Sequence, residues 1–144
     1  MSENKLSSLG LFGLRAGIGV VFLLFGLDKL SNPAHWVVFF PSFLSKILTS
    51  QSGLSVYQFL RFQGLIESIV GVQLLLGVMT RPTAASAFLI LALIIYALGF
   101  DQIGIRDFGL LLSAFGIICL GPGGWSLDAW LKKNDQKSSP KVQP

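Results

Sequence analysis

Two charged residues stand inside apolar runs of this chain, Arg15 within Leu9 to Leu27 and Glu67 within Phe62 to Met79. A charge at mid-bilayer costs at least about 2.5 to 3.5 kcal/mol on insertion scales, so each needs a partner, a cavity or a route to an interface. Glu67 is the candidate catalytic group, because a carboxylate held at mid-helix can relay a proton. A cation beside it would instead keep it ionised and make it a structural pair. Cys119 is the one cysteine, which leaves neither a disulfide nor a CxxC redox pair. His35 is the one histidine, so one chain offers no bis-histidine haem ligation and no His-rich zinc or di-metal site. Electron transfer would therefore need a bound organic cofactor or a partner protein.

Helical spacing gives these groups a direction. Arg15, Gly19, Phe22, Gly26 and Lys29 follow steps of 4, 3, 4 and 3, and so do Glu67, Gly71, Leu74, Val78 and Arg81. Each stripe sets charged ends around small residues that let backbones approach, so both should face inward. At 1.5 Å per residue, Arg15 lies roughly 9 Å from one end of its span and Glu67 roughly 8 Å from the opposite end of its own. Their depths then differ by about 14 Å in a core of about 30 Å, which argues against a direct bridge. Two polar layers follow. One holds Lys29, Glu67, Arg106 and Asp107, with Arg106 and Asp107 starting a span just after a loop at Asp101 to Gly104. The other holds Arg15, Arg81, Ser126 and Asp128. Arg15, Lys29, Arg106 and Asp107 are the candidate ligand-binding residues. Arg81, Ser126 and Asp128 read as a structural cluster in which Asp128 pairs with Arg15 or Arg81. Gly13 and Gly17 form a GxxxG, read as packing within the bundle or as an oligomer contact.

The elements that must carry these residues are membrane spans. The chain has 144 residues, 52% hydrophobic and 12% charged, with a mean hydropathy of +0.69. A soluble domain needs about a quarter of its residues charged, so this composition excludes one. Four spans of about 20 residues fit the apolar share. They are expected near 9–30, 62–80, 82–100 and 105–121, as an all-α four-helix bundle. Gly121-Pro122-Gly123-Gly124 stops the fourth span abruptly. Between the first two spans, Trp36 to Phe40 is apolar but too short to cross, and Pro41 breaks it. This stretch reads as an interfacial or re-entrant segment with Trp36 at headgroup level. Trp125 and Trp130 read as interface anchors, and Ser126 as the N-cap of a short helix with Asp128 in its first turn. The tail 132–144 is polar and basic and is expected to be disordered.

A net charge of +4 comes with four lysines in that tail. Nucleic acid is a poor partner for this pattern, and anionic lipid headgroups are a better one. The lysines place the C-terminus in the cytoplasm, and an even number of spans places the N-terminus there too. Lys29, Lys46 and Arg61 on the other side count against that orientation.

Several segments together resemble one family. They are Phe25-Gly26-Leu27-Asp28-Lys29-Leu30, Glu67 with Gly71, Leu76-Gly77-Val78-Met79-Thr80-Arg81-Pro82, Arg106-Asp107 and Gly121-Pro122-Gly123-Gly124-Trp125-Ser126-Leu127-Asp128. With Arg15 they resemble the DoxX family of small four-helix bacterial inner-membrane proteins, over about residues 9 to 130. The resemblance implies a fold and a location more than an activity. Similar members include the membrane subunit of an archaeal thiosulfate:quinone oxidoreductase, and others are associated with membrane redox or oxidative-stress complexes. The loop after the first span is longer and richer in Phe and Ser than the family pattern.

Three readings of function follow. The first is a quinone-linked subunit of a membrane redox complex, with no intrinsic cofactor, a membrane quinone as ligand and a soluble redox partner. There Glu67 handles protons and the neighbouring charges stabilise the ring oxygens. The second is a non-enzymatic scaffold or small-molecule-binding protein that recruits a soluble partner. The third is transport of a small solute. A homo-oligomer is compatible with each. The 12 phenylalanines suit either a lipid-facing surface or a pocket for a flat ring.

Overall fold

The computed structural model describes residues 3–99 and 102–138. The described chain is all helix and turn, without strands. Its helices are α1 (Glu3–Ser31), α2 (Ala34–Val37), α3 (Ser42–Ser52), α4 (Val56–Leu76), α5 (Thr80–Leu98), α6 (Gln102–Leu120) and α7 (Leu127–Ser138). Among the described residues α1, α4 and α5 are long and apolar enough to cross a membrane. The fourth expected span is α6, which packs on α5 and α1 and completes the bundle.

The glycine stripes bring α1 and α4 into backbone contact. A Cβ added at Gly26 would sit 2.6 Å from the Ser68 amide nitrogen, and one at Gly71 2.6 Å from that of Leu23. Gly19 meets Gly71 and Gly26 meets Gly64, so the two helices run antiparallel. No larger residue fits at these crossings, which fixes the register of the charges carried by the same stripes. Gly13 and Gly17 do the opposite. Both are exposed with open space where a Cβ would be, so this GxxxG does not pack within the bundle.

Several boundaries differ from the sequence expectation. Helix α1 begins at Glu3 rather than near 9, and α6 at Gln102 rather than 105, so residues 102–104 of the expected loop are helical. Helix α4 begins at Val56 rather than near 62, because Ser55 and Gln58 form a reciprocal capping box. Helix α5 begins two residues before Pro82, which costs nothing in a first turn, where amides have no partner within the helix. The tail is not disordered from residue 132: α7 continues to Ser138. The Ala129 amide donates to Ser126 Oγ at 3.1 Å, and Asp128 in the first turn favours the helix dipole. The last six residues, 139–144, and the loop residue Asp101 lie outside the described residues.

The core lies where all four long helices meet. Ile18, Phe22, Val70, Leu74, Ala84, Ala87, Leu91, Ala114 and Ile117 form one buried cluster. Polar groups lie at its two ends, and between them the bundle is apolar.

Candidate functional site

At one end, α1 delivers Lys29 and α4 delivers Glu67 across their glycine-lined crossing. Lys29 Nζ donates to both carboxylate oxygens, at 2.6 Å and 2.7 Å. Glu67 is 3% exposed. One turn earlier on α4, Gln63 Nε2 donates to Glu67 Oε1 at 3.0 Å. Both carboxylate oxygens are therefore engaged, as burial of such a group requires. The ammonium also lies 4.6 Å from the centre of the Trp36 ring, whose π face attracts it.

Trp36 reaches this position because the segment after α1 doubles back over it. The indole N–H donates to Asp28 Oδ2 at 2.8 Å, and the ring meets Phe25 edge-on at 5.3 Å. Helices α2 and α3 pack on α4 and cover the end of the α1–α4 pair.

The first turns of α6 bring a second pair. Arg106 donates to the buried Asp107 carboxylate, from Nη2 at 2.8 Å and Nε at 2.9 Å. The guanidinium also stacks on Phe25, 4.7 Å from its centroid.

Lys29, Glu67, Arg106 and Asp107 line one cavity of about 390 Å³. The rest of the wall is almost wholly apolar and aromatic, including Phe22, Phe25, Trp36, Phe59, Leu91 and Leu110. A pocket of this size with a few convergent polar groups has the form of a small-molecule site. Arg15 lines no part of it. Fourteen residues from Lys29 on a straight helix is about 21 Å, which puts Arg15 at the other end of the bundle.

The second polar cluster is built around the turn from α4 to α5. Arg15 is 1% exposed. Its guanidinium donates to the carbonyl of Trp125 and, at 3.4 Å, to that of Leu74. Gly77 ends α4 with a left-handed φ of 69°, and Arg15 Nη1 fills the space where its side chain would be. Asp128 does not pair with an arginine: among the described residues neither Arg15 nor Arg81 lies within ion-pair distance of it. Its carboxylate instead accepts from the Met79 and Thr80 amides, at 2.9 Å and 2.8 Å, and from Thr80 Oγ1 at 2.8 Å. It thus caps α5 from across the turn, a role that Met79, in the left-handed region at φ 45°, cannot fill with its own side chain. Burial pushes the Asp128 carboxyl up, but these hydrogen bonds and the charge of Arg15 together hold it below the ordinary carboxylate value. Ser126 packs against Gly77 and caps α7. Arg81 is exposed and lies beside Gly121.

Sequence reasoning missed four participants. Gln63 stands four residues before Glu67, a spacing at which helix neighbours touch, and could have been read. Trp36 was visible only as an interface anchor, because its contact with Lys29 depends on how the loop returns. Thr80 and the Trp125 carbonyl carry no signal in the sequence.

A family model, DoxX, matches residues 10–99. The chain belongs to the DoxX family. No curated protein and no solved structure matches it. The match covers α1 to α5, and with them Arg15, Lys29 and Glu67. Arg106, Asp107, Ser126 and Asp128 lie beyond it. This DoxX protein is an all-α protein of membrane-crossing helices, and its surface suits contact with a lipid bilayer.

Proposed function

We propose that this DoxX protein binds a lipid-soluble ring compound of the quinone class and serves as the quinone-linked subunit of a membrane redox complex. The observation that carries the reading is the cavity of about 390 Å³, in which an aromatic and aliphatic wall ends on Lys29, Glu67, Gln63, Arg106 and Asp107. The fit to a quinone head is chemical: flat rings suit walls of Phe25, Trp36 and Phe59, and carbonyl oxygens suit the cationic donors. A bound quinone would carry electrons and protons between a soluble partner and the membrane.

The chain's own residues bind and orient. Lys29 and Arg106 are the donors at the polar end, each fixed by a carboxylate so that its direction does not depend on the ligand. Glu67 accepts from Lys29 at both oxygens and from Gln63 at Oε1. Proton exchange at Glu67 Oε1 or Oε2 would have to pass through this pair. Arg15 lies too far away to take part. Location in a bacterial inner membrane, both termini in the cytoplasm and a homo-oligomeric state belong to the same proposal, the second supported by the lysines of the tail.

The same cavity supports a second reading, in which the protein holds an apolar molecule without passing electrons and recruits a soluble partner. Organic extraction of the detergent-purified protein followed by mass spectrometry tests the first reading. A quinone recovered in proportion to the chain is expected, and its absence overturns the quinone assignment.

A further inference from the structure

The cavity combines a closed charge balance with one open side. Among the described residues its ionisable lining groups are Lys29, Glu67, Arg106 and Asp107, formally two cations and two anions, and each cation is already within 2.8 Å of its carboxylate. A charged ligand head would enter a low-dielectric space with no free counter-charge, which is strongly unfavourable. An uncharged head with hydrogen-bonding oxygen or nitrogen meets no such penalty.

The open side lies between α4 and α5. On α5, Leu91 and Leu93 both line the cavity, yet Leu91 is 3% exposed and Leu93 66%. On α4, Leu60 and Phe62 repeat the pattern, at 3% and 63%. The lining residues of α1 are all buried or half-buried, and on α6 only Arg106 is exposed, where Asp107 and Phe25 hold it. Helices α4 and α5 are joined by a tight turn at the Arg15 end, and the exposed lining residues of both lie toward the Lys29 end. Phe62 lies six residues inside α4 and Leu93 five residues before the end of α5. At 1.5 Å per residue both stand about 8 to 9 Å from their helix ends, at the depth of hydrocarbon.

We propose that the cavity is filled sideways from the bilayer, through the gap between Phe62 on α4 and Leu93 on α5, by a membrane-dissolved amphiphile with an uncharged hydrogen-bonding head. The proposal rests on the cavity being a ligand site, as above, but not on the ligand being a quinone.

The test reconstitutes the full chain in phosphatidylcholine vesicles with a long-chain fatty alcohol carrying a diazirine on its chain. The matching fatty acid, at a pH where it is ionised, serves as the charged counterpart. After photolysis, adducts are mapped by mass spectrometry. Phe22, Leu60 and Leu91 line the cavity and are buried, so bulk lipid does not reach them. The alcohol is expected to label this buried wall, and the acid only lipid-facing residues. Leu93→Trp and Phe62→Trp should each lose the wall adducts. Leu89→Trp and Leu65→Trp, on exposed positions of the same helices outside the cavity, should keep them. Circular dichroism on all four variants checks that the helices persist.

Equal wall labelling by alcohol and acid would overturn the uncharged head. Full wall labelling in both lip variants would overturn lateral entry and move the route to the linker at Phe39. No wall labelling in the parent would overturn the proposal as a whole. If the alcohol labels the wall but no quinone is extracted, the quinone assignment fails and this inference stands.

Discussion

Asp128 Oδ2 accepts both the amide and the hydroxyl of Thr80, 48 residues earlier, each at 2.8 Å. One carboxylate at the start of α7 therefore closes the N-terminus of α5, and the α4–α5 turn cannot open without losing α7. The capping acid of a helix normally stands in the residues just before it. Here that place is taken by Met79 in the left-handed region, and the acid comes from elsewhere in the chain.

Asp128→Ala should lower stability by about 1 to 2 kcal/mol, the usual value of a helix cap, read as thermal unfolding in detergent. Because Asp128 is held below its ordinary value of 3.8, its contribution is complete above that pH. It is lost as pH falls below 3.8 through the folded value. The difference between parent and Asp128→Ala should shrink in that acidic window and stay constant from pH 5 to 8. Charge exchange with Arg81 should not rescue Asp128→Arg, since the cap needs an acceptor at residue 128 and Arg81 is not within ion-pair distance of it.

The Lys29–Glu67 pair should behave as a buried ion pair. Glu67→Gln leaves the ammonium without its counter-charge and should cost about 3 to 5 kcal/mol. Replacing both by methionine removes the uncompensated charge and should recover most of the loss. Unfolding midpoints in one detergent check this. A Glu67→Gln protein as stable as the parent would mean that the pair is solvated.

Glycine substitutions should separate two faces of α1. Gly71→Ala on α4 drives a Cβ into the Leu23 backbone and should cost about 1 to 3 kcal/mol by overpacking. Gly13→Ala meets open space inside a helix and should be neutral or gain about 0.5 to 1 kcal/mol. Equal effects would mean that α1 meets another surface in the assembled protein.

What the sequence reveals of this molecule follows how local each signal is. The steps of 3 and 4 that join Arg15 to Lys29 and Glu67 to Leu74 are periodic within one helix, and those residues are buried together with their glycines. The capping box at Ser55 and Gln58 is equally local and moves the start of α4 six residues earlier than hydropathy alone suggests. Asp128 shows the limit. Matching its depth to Arg15 and Arg81 places it correctly near the turn, but depth does not distinguish a guanidinium from two backbone amides. Electrostatic reasoning chose the charge, whereas the unpaired amides of a helix start took the carboxylate. Trp36 depends on the return path of a loop, which no period encodes.

Topology can be checked independently of stability. Reporter fusions after Ser50 and after Ser138 should lie on opposite sides of the membrane, the latter in the cytoplasm with the lysines. A C-terminal reporter active outside the cytoplasm would reverse the orientation while leaving the bundle intact.

Arg15 and Gly77 should be energetically coupled. An alanine at residue 77 meets two separate penalties: a left-handed φ of 69°, worth about 1 to 2 kcal/mol for any L side chain, and a collision with Arg15 Nη1. Arg15→Ala removes only the second. It also frees the carbonyls of Trp125 and Leu74, so it should itself destabilise, by about 1 to 3 kcal/mol for each carbonyl left buried and unpaired. Gly77→Ala should therefore cost less in the Arg15→Ala background than in the parent, and the residual cost should approach the φ penalty alone. The four proteins of this cycle, melted in the same detergent, give the coupling directly. Strict additivity would place the guanidinium away from Gly77 and dissolve the cluster that ties α1, the α4–α5 turn and the chain before α7 together.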